Sequence, residues 1–351
     1  MTAPLFMRVD GNPRMGTGHL MRCMSLAQGW RSIGGDVSFI CAEITPALEA
    51  RLLIEGFSTH RLSAKPGTCE DVYQTLAIVR DLRASAFNPK ASATWIVVDG
   101  YQFDADFQWA IKAAGSRLLV FDDFGHAAHY SADIVLNQNL NADENLYANR
   151  EPYTLLLLGA HYILLRQQFF AYRDRKREIR PLVRRVLVTL GGSDPDNVTS
   201  KVIEALDGWD IEAKLVIGGS NPHLETLGTD VRRSKFAVEL VVDANNMPEL
   251  MTWADVAITA GGTTAWELAF MGVPMLVVLI AATQRNFVAS IGAAQLAHIT
   301  SPDRIAESLP AFLSNTDDRR QMSLRGQKLV DGYGVERVVA AVAEQTVKLA
   351  P

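Results

Sequence analysis

The stretch "LFMRVDGNPRMGTGHLMRCMSLAQGW", residues 5–30, carries three structural signals in a row. An apolar run ends at Asp10, a glycine loop follows, and "LMRCMSLAQGW" then reads as a helix. A strand, a glycine turn and a helix in that order open a βαβ unit. The same alternation continues along the chain. Apolar runs at 37–41, 95–99, 118–122 and 134–137 predict strands, and patterns at 20–33, 71–82 and 107–114 predict helices. The strand runs are continuously apolar instead of alternating, which marks parallel strands covered on both faces. The opening stretch therefore heads a doubly wound α/β domain.

The chain has 351 residues, too many for one ordinary core. The alternation breaks at "QQFFAYRDRKREIRP" (167–181), read as a helical exit and a linker, and restarts at "RRVLVTLGG". Further strands are predicted at 186–189, 214–217, 239–242, 256–259 and 274–278, and helices at 197–206, 248–253, 264–271 and 287–294. Amphipathic stretches at 303–313 and 335–348 close the chain. The expected domains are 1–180 and 181–351, each opening with a strand, a glycine loop and a helix.

Composition narrows the class. Charged residues make up 21% and the formal net charge is −5, without the basic footprint of a nucleic-acid binder. The longest apolar run, "VPMLVVLIAA", is far too short for a membrane span. No basic segment precedes a long apolar stretch at the N-terminus, so no signal peptide is expected. Cys23, Cys41 and Cys69 are odd in number and lack metal-ligand spacing. They read as buried free thiols, and the expected location is the cytoplasm.

Three loops leave strand ends and enter helices: "GNPRMGTGH", "GGSDPDN" and "AGGTTAWE". Helix mouths offer unpaired N–H groups and partial positive charge, and glycine permits close backbone approach. A tight connection explains any one of these loops; three together point to a phosphate-bearing ligand. Neither a G-x-G-x-x-G fingerprint nor a P-loop lysine is present, so nicotinamide and ATP-type readings lose their support. Glu267 lies about one turn into its helix, where an acid is common but also suits a ribose. His19 stands at the mouth of the first helix, where the dipole favours the neutral imidazole of a general base.

These residues carry a resemblance. "RVDGNPRMGTGHLMRCMSLA" (8–27) resembles the N-terminal signature of the UDP-sugar hydrolases of the pseudaminic acid pathway. "VVDGYQFD", "FDDFGHAAHYSADIVLNQNL", "LLLLGAHYILLRQQF", "VLVTLGGSDPDNVT" and "NNMPELMTWADVAITAGGTTAWELAFMGVPMLVV" follow in the family's order, so the likeness covers most of 5–295. It implies two Rossmann-like domains facing across a cleft, a glycosyltransferase-B-like fold. It also implies hydrolysis of UDP-2,4-diacetamido-2,4,6-trideoxy-β-L-altropyranose. The family's catalytic histidine falls on His19, and its nucleotide-binding residues fall on Gly261, Gly262 and Glu267. At "AATQRN" (281–286) Gln284 is kept, and Thr283 stands where the family often has Asn.

The scheme that joins both lines has His19 deprotonating water that attacks the anomeric carbon. Backbone N–H groups at Gly16, Thr17 and Gly18, and at Gly261, Gly262, Thr263 and Thr264, hold the diphosphate. Gly191, Gly192 and Ser193 form the middle loop of the set. Glu267 holds the ribose, Asn246 and Met247 rim the uracil, and Arg22, Tyr101 and Gln284 are further substrate contacts. Asp10 either orients His19 or a sugar hydroxyl, or ties down the glycine loop. Asp99, Tyr101, Asp122 and Asp123 share the same sheet edge, and some of them face the sugar. The implied partner is a small-molecule UDP-sugar, with no cofactor, metal, nucleic acid or stable membrane insertion. Two alternatives stand beside the hydrolase: a glycosyltransferase using the same donor, and a non-catalytic nucleotide-sugar binder.

Overall fold

The computed structural model describes residues 2–12, 16–85, 93–219 and 221–347. The tip of the first glycine loop, 13–15, lies outside the described residues. The chain forms two compact units: Met1–Gln167 with Tyr333–Pro351, and Gln168–Gly332.

In the first unit the elements are β1 (Leu5–Val9), α1 (Gly18–Ser32), β2 (Val37–Cys41), α2 (Pro46–Ile54), β3 (Ser58–Arg61), α3 (Cys69–Ser85), β4 (Trp95–Asp99), α4 (Ala105–Ala113), β5 (Arg117–Phe121), β6 (Ile134–Asn137) and β7 (Leu155–Leu158). They build a seven-stranded sheet in the order β3-β2-β1-β4-β5-β6-β7, parallel at every pairing. The chain reverses its direction of winding between β1 and β4. Doubly wound sheets bind ligands outside the strand ends at that point. The register sets Val9 opposite Asp99, so the loops after β1 and β4 emerge side by side.

The second unit contains β8 (Arg185–Thr189), α5 (Val198–Leu206), β9 (Glu212–Ile217), α6 (Leu224–Arg233), β10 (Ala237–Val242), α7 (Met247–Trp253), β11 (Val256–Ala260), α8 (Thr264–Phe270), β12 (Met275–Val278), α9 (Arg285–Ala293), β13 (His298–Thr300), α10 (Ile305–Ser314) and α11 (Thr316–Leu329). Its six strands run in the order β10-β9-β8-β11-β12-β13. Here the switch point lies between β8 and β11, and the glycine loops at 190–193 and 261–263 leave those two strands.

The expected strand cores are present. Among the elements that were not expected, β3 ("STHR") is a polar edge strand, β13 has three residues, α11 is rich in charge and lacks the apolar period of a buried helix, and β7 ("LLLL") is an apolar run of only four residues. α2 begins with a capped start, Thr45 accepting the Leu48 N–H.

Three expectations are corrected. The last helix, α12 (Gly334–Val347), belongs to the first unit and not to the C-terminal domain. Val335, Val338 and Val342 on it are fully buried, each worth about 1.5–3 kcal/mol. Gly29 of α1 lies so close that a Cβ there would sit 2.2 Å from Val335 Cγ1. Trp95 Nε1 also donates to Thr346 Oγ1 at 2.7 Å. The charged segment read as a linker is largely part of the second unit: Arg177 donates to the Met251 carbonyl at 3.0 Å, and Arg175 to Thr252 Oγ1 at 3.0 Å. Of the cysteines, Cys23 and Cys41 are buried, but Cys69 is exposed at the start of α3. Among the described residues no helix is long and apolar enough to cross a membrane.

Candidate active site

His19 is the second residue of α1, and its Nδ1 lies 2.6 Å from Asp99 Oδ1 at the end of β4. An ionised carboxylate only accepts, so Nδ1–H donates; in the neutral imidazole this fixes the tautomer whose lone pair is on Nε2. Arg22, one turn further along α1, holds the other side of Asp99. Its Nε donates to Oδ2 at 2.6 Å and its Nη2 to Oδ1 at 2.7 Å. Arg22 Nη2 also sits 3.2 Å from His19 Nδ1; with that proton committed to Asp99, two donors face each other and no bond forms.

Arg22 reaches a second carboxylate. Its Nη1 and Nη2 donate to Asp123 at 2.8 and 3.1 Å. Asp123 also accepts from Tyr101 Oη at 2.9 Å and from Asn139 Nδ2 at 2.9 Å. The Tyr101 ring meets the His19 ring edge-on at 5.3 Å and packs on Phe124 at 4.9 Å. The helix α1 and three strand ends, β4, β5 and β6, thus contribute to one network around His19.

The charges follow from burial and pairing. Burial alone pushes the Asp99 carboxyl up, but Arg22 and His19 outweigh it and hold Asp99 well below the usual carboxylate range. Asp123 is likewise driven up by burial and carried below its ordinary value by Arg22. Tyr101 is pushed up by burial and by Asp123, so it stays a phenol and donates.

The structure redistributes several expected roles. Asp10 does not orient His19. It is fully buried, and its Oδ1 accepts from Arg8 Nη1 at 2.8 Å and from the Ala42 and Glu43 N–H groups at 2.8 and 2.9 Å. It ties the end of β1 to the segment after β2, a structural role different from the expected tie to the glycine loop. Arg22 was expected to touch substrate, yet four of its N–H contacts serve Asp99 and Asp123. Asp122 turns its carboxylate inward to the N–H groups of Phe124 and Gly125, both at 2.6 Å. Asp99, Tyr101 and Asp123 are therefore the strand-end residues grouped with His19. Asn139 was not singled out in the sequence; the polar triplet at 137–139, directly after β6, is the signal that marks it.

In the second unit, Gly191 has φ +93°, a conformation glycine adopts without strain. Gly192 lies under Gly218, where a Cβ would come within 2.4 Å of the Gly192 carbonyl oxygen. The helix behind this loop is already capped. Asp194 accepts from the Val198 and Thr199 N–H groups, both at 2.9 Å, and from Thr199 Oγ1 at 2.6 Å. A carboxylate at the mouth of α5 weakens that loop as a phosphate site, against expectation. At the loop after β11, Thr263 makes no side-chain cap bond at the mouth of α8, whose first turn carries Glu267. Open space surrounds the position of a Cβ on Gly262. Gln284 and Gly261 are neighbours, a Cβ on Gly261 falling 3.3 Å from Gln284 Cβ. Glu267 is 9% exposed on α8. Asn246 is exposed at the start of α7, whereas Met247 is buried and belongs to the core, which removes its side chain from the expected rim. Among the described residues no His, Cys, Asp and Glu cluster suits a metal ion.

Residues 186–328, within the second unit, match the glycosyltransferase family 28 C-terminal domain. An uncharacterized protein of Methanocaldococcus jannaschii is 25% identical over 285 residues, 79% of this chain and 56% of that protein. The match thus spans little more than half the length of that relative. The spore coat polysaccharide biosynthesis protein SpsG of Bacillus subtilis is 27% identical over 347 residues, 95% of this chain and 96% of its own. Among solved structures, Acinetobacter baumannii MurG has a TM-score of 0.64 at 14% identity, covering 97% of this chain and 99% of that one. Phytolacca americana UGT2, solved with UDP-2fluoro-glucose and pterostilbene, has a TM-score of 0.64 at 14% identity, covering 98% and 100%. The fold is of the glycosyltransferase-B type, two parallel-sheet α/β domains, as expected.

Proposed function

We propose that the protein hydrolyses a UDP-activated amino-deoxy sugar to the free sugar and UDP, in nonulosonic (pseudaminic) acid or surface-polysaccharide biosynthesis. The observation that carries this reading is the His19–Asp99 pair, set at the switch point of the first sheet with Nδ1–H committed to the carboxylate. The family 28 match and the spore-coat polysaccharide relative support a nucleotide-sugar substrate. In this scheme His19 Nε2 takes a proton from water as the water oxygen bonds to the anomeric carbon. The bond from that carbon to the phosphate oxygen breaks, and UDP leaves with the electron pair. Asp99 holds the imidazole in the productive tautomer and stabilises its charged form. The loop 261–264 is the site we assign to the diphosphate, and Glu267 the one for the ribose hydroxyls.

Incubation with a panel of UDP-sugars, with and without sugar or lipid acceptors, tests the reading by mass spectrometry of the products. Hydrolysis in ¹⁸O-water is expected to label the free sugar; label in UDP places attack at phosphorus and ends the proposal for His19. The transferase fold of the solved relatives favours one second reading, in which an acceptor hydroxyl replaces water. Product formed only when acceptor is present decides for it.

Glu267→Ala is expected to weaken UDP binding by about 1.5–3 kcal/mol, the loss of a charge-assisted hydrogen bond. Calorimetry that returns the wild-type affinity removes Glu267 from the site.

A further inference from the structure

The turn that delivers Asp123 and Phe124 to the site is held by a buried histidine that the scheme above does not use. His126 Nδ1 lies 2.7 Å from Asp122 Oδ2, off the N–H axis, so the contact is an ion pair more than an aligned bond. Its Nε2 lies 3.3 Å from the Phe103 carbonyl oxygen. Either neutral tautomer sets a lone pair beside one of these oxygens; only the imidazolium carries N–H at both nitrogens and places positive charge beside Asp122. Besides Asp122 and the Phe103 carbonyl, the ring faces Asp123 and the rings of Tyr101, Phe124 and Tyr130 at 5.9, 6.2 and 6.3 Å. Asp122 also accepts the Tyr130 hydroxyl and, at 3.3 Å, that of Tyr147. Arg22 faces Asp123 from α1. Burial drives the imidazole toward its neutral form, but Asp122 outweighs this and holds His126 above the ordinary histidine range.

We propose that His126 is a positioning residue that works as an imidazolium, clamping the turn 122–126 so that Asp123 and Phe124 hold Tyr101 against His19. The inference rests on the reading of His19 as the reacting base. The turn packs closely on the 146 region: Gly125 has φ +75°, and a Cβ on it would come within 2.9 Å of the Leu146 carbonyl oxygen. The sign of the pH effect follows from the raised value. The clamp is complete below the ordinary histidine range, about pH 6.5, and is lost as pH rises through the folded-state value.

The test is a titration of ¹⁵N-histidine and ¹³C-tyrosine labelled full-length protein from about pH 5.5 to about pH 9. The His126 ring is expected to stay doubly protonated above about pH 7, where an exposed imidazole has lost its proton. The Tyr101 ring signal is expected to move with the same midpoint. His126→Gln is expected to lower turnover at neutral pH by about 10-fold, the loss of a charged hydrogen bond. It is also expected to shift the alkaline limb of the rate profile and to leave UDP affinity unchanged. A singly protonated ring at neutral pH overturns the proposal, whatever the activity. A Tyr101 signal that ignores the His126 titration overturns the clamp, as does a variant with a wild-type rate profile. A protein that releases UDP from no nucleotide sugar ends the functional reading, while the two titrations still decide the charge of His126 and its coupling to Tyr101.

Discussion

Replacing His19 with alanine is expected to lower turnover of the UDP-sugar by roughly 10²–10⁴, the usual worth of a positioned general base. UDP affinity is expected to stay near wild type, because the nucleotide contacts are assigned to the second unit. Melting temperature is expected to change little, since the His19 side chain is partly exposed and lies at a helix start, outside the packed core. His19→Asn is expected to behave the same way, because an amide fills the space and cannot take the proton. A binder has no turnover to lose, and a structural histidine loses stability, binding and activity together. Turnover, calorimetry and thermal melting on one preparation separate these cases. Turnover within a few-fold of wild type removes His19 as the base.

Asp99→Asn is expected to have an effect of comparable or larger size, about 10⁴-fold on turnover, the scale seen when the orienting carboxylate of a serine-protease triad becomes an amide. The amide presents either an oxygen or an NH₂ to Nδ1, so the tautomer is no longer dictated. The change also removes a charge from between His19 and Arg22. Taking one partner from a buried ion pair costs about 3–5 kcal/mol; here Arg22 keeps Asp123, so the loss of stability should fall below that figure. The contrast is Asp10→Asn. Asp10 serves Arg8, Gln102 Nε2 and two backbone N–H groups, so its loss should appear in the melting temperature and not in the rate per folded molecule. If Asp99→Asn melts lower and keeps its turnover, Asp99 is a scaffold residue and the dyad mechanism fails.

Much of the fold was legible in the letters. The runs at 5–10, 95–99 and 186–189 are short, continuous and apolar, and in a parallel sheet every such strand needs burial on both faces. The glycine loops were legible because tight strand–helix turns need residues without a Cβ, and the histidine directly behind the first loop marked one end of the site. The polar edge strand β3 and the charged helix α11 were not legible, because a polar, half-exposed element lacks the period that betrays a buried face. Asp10 and Asp99 show the same limit at the level of side chains. Each ends an apolar run, and nothing local tells the one that ties two strands together from the one that holds an imidazole.

The sequence by itself determined the alternation of strands and helices and His19 at a helix mouth, since each depends on neighbours within a few residues; the glycosyltransferase-B-type pairing of two such domains was what the family resemblance implied. Tertiary structure alone decided that His19 meets Asp99, 80 positions away, that Arg22 bridges Asp99 and Asp123, and that α12 returns to the first unit. The physical reason is strand order. β1 and β4 become neighbours only when β2 and β3 are laid on the other side of β1, and that choice is made by the packing of whole elements, which no short stretch of chain encodes.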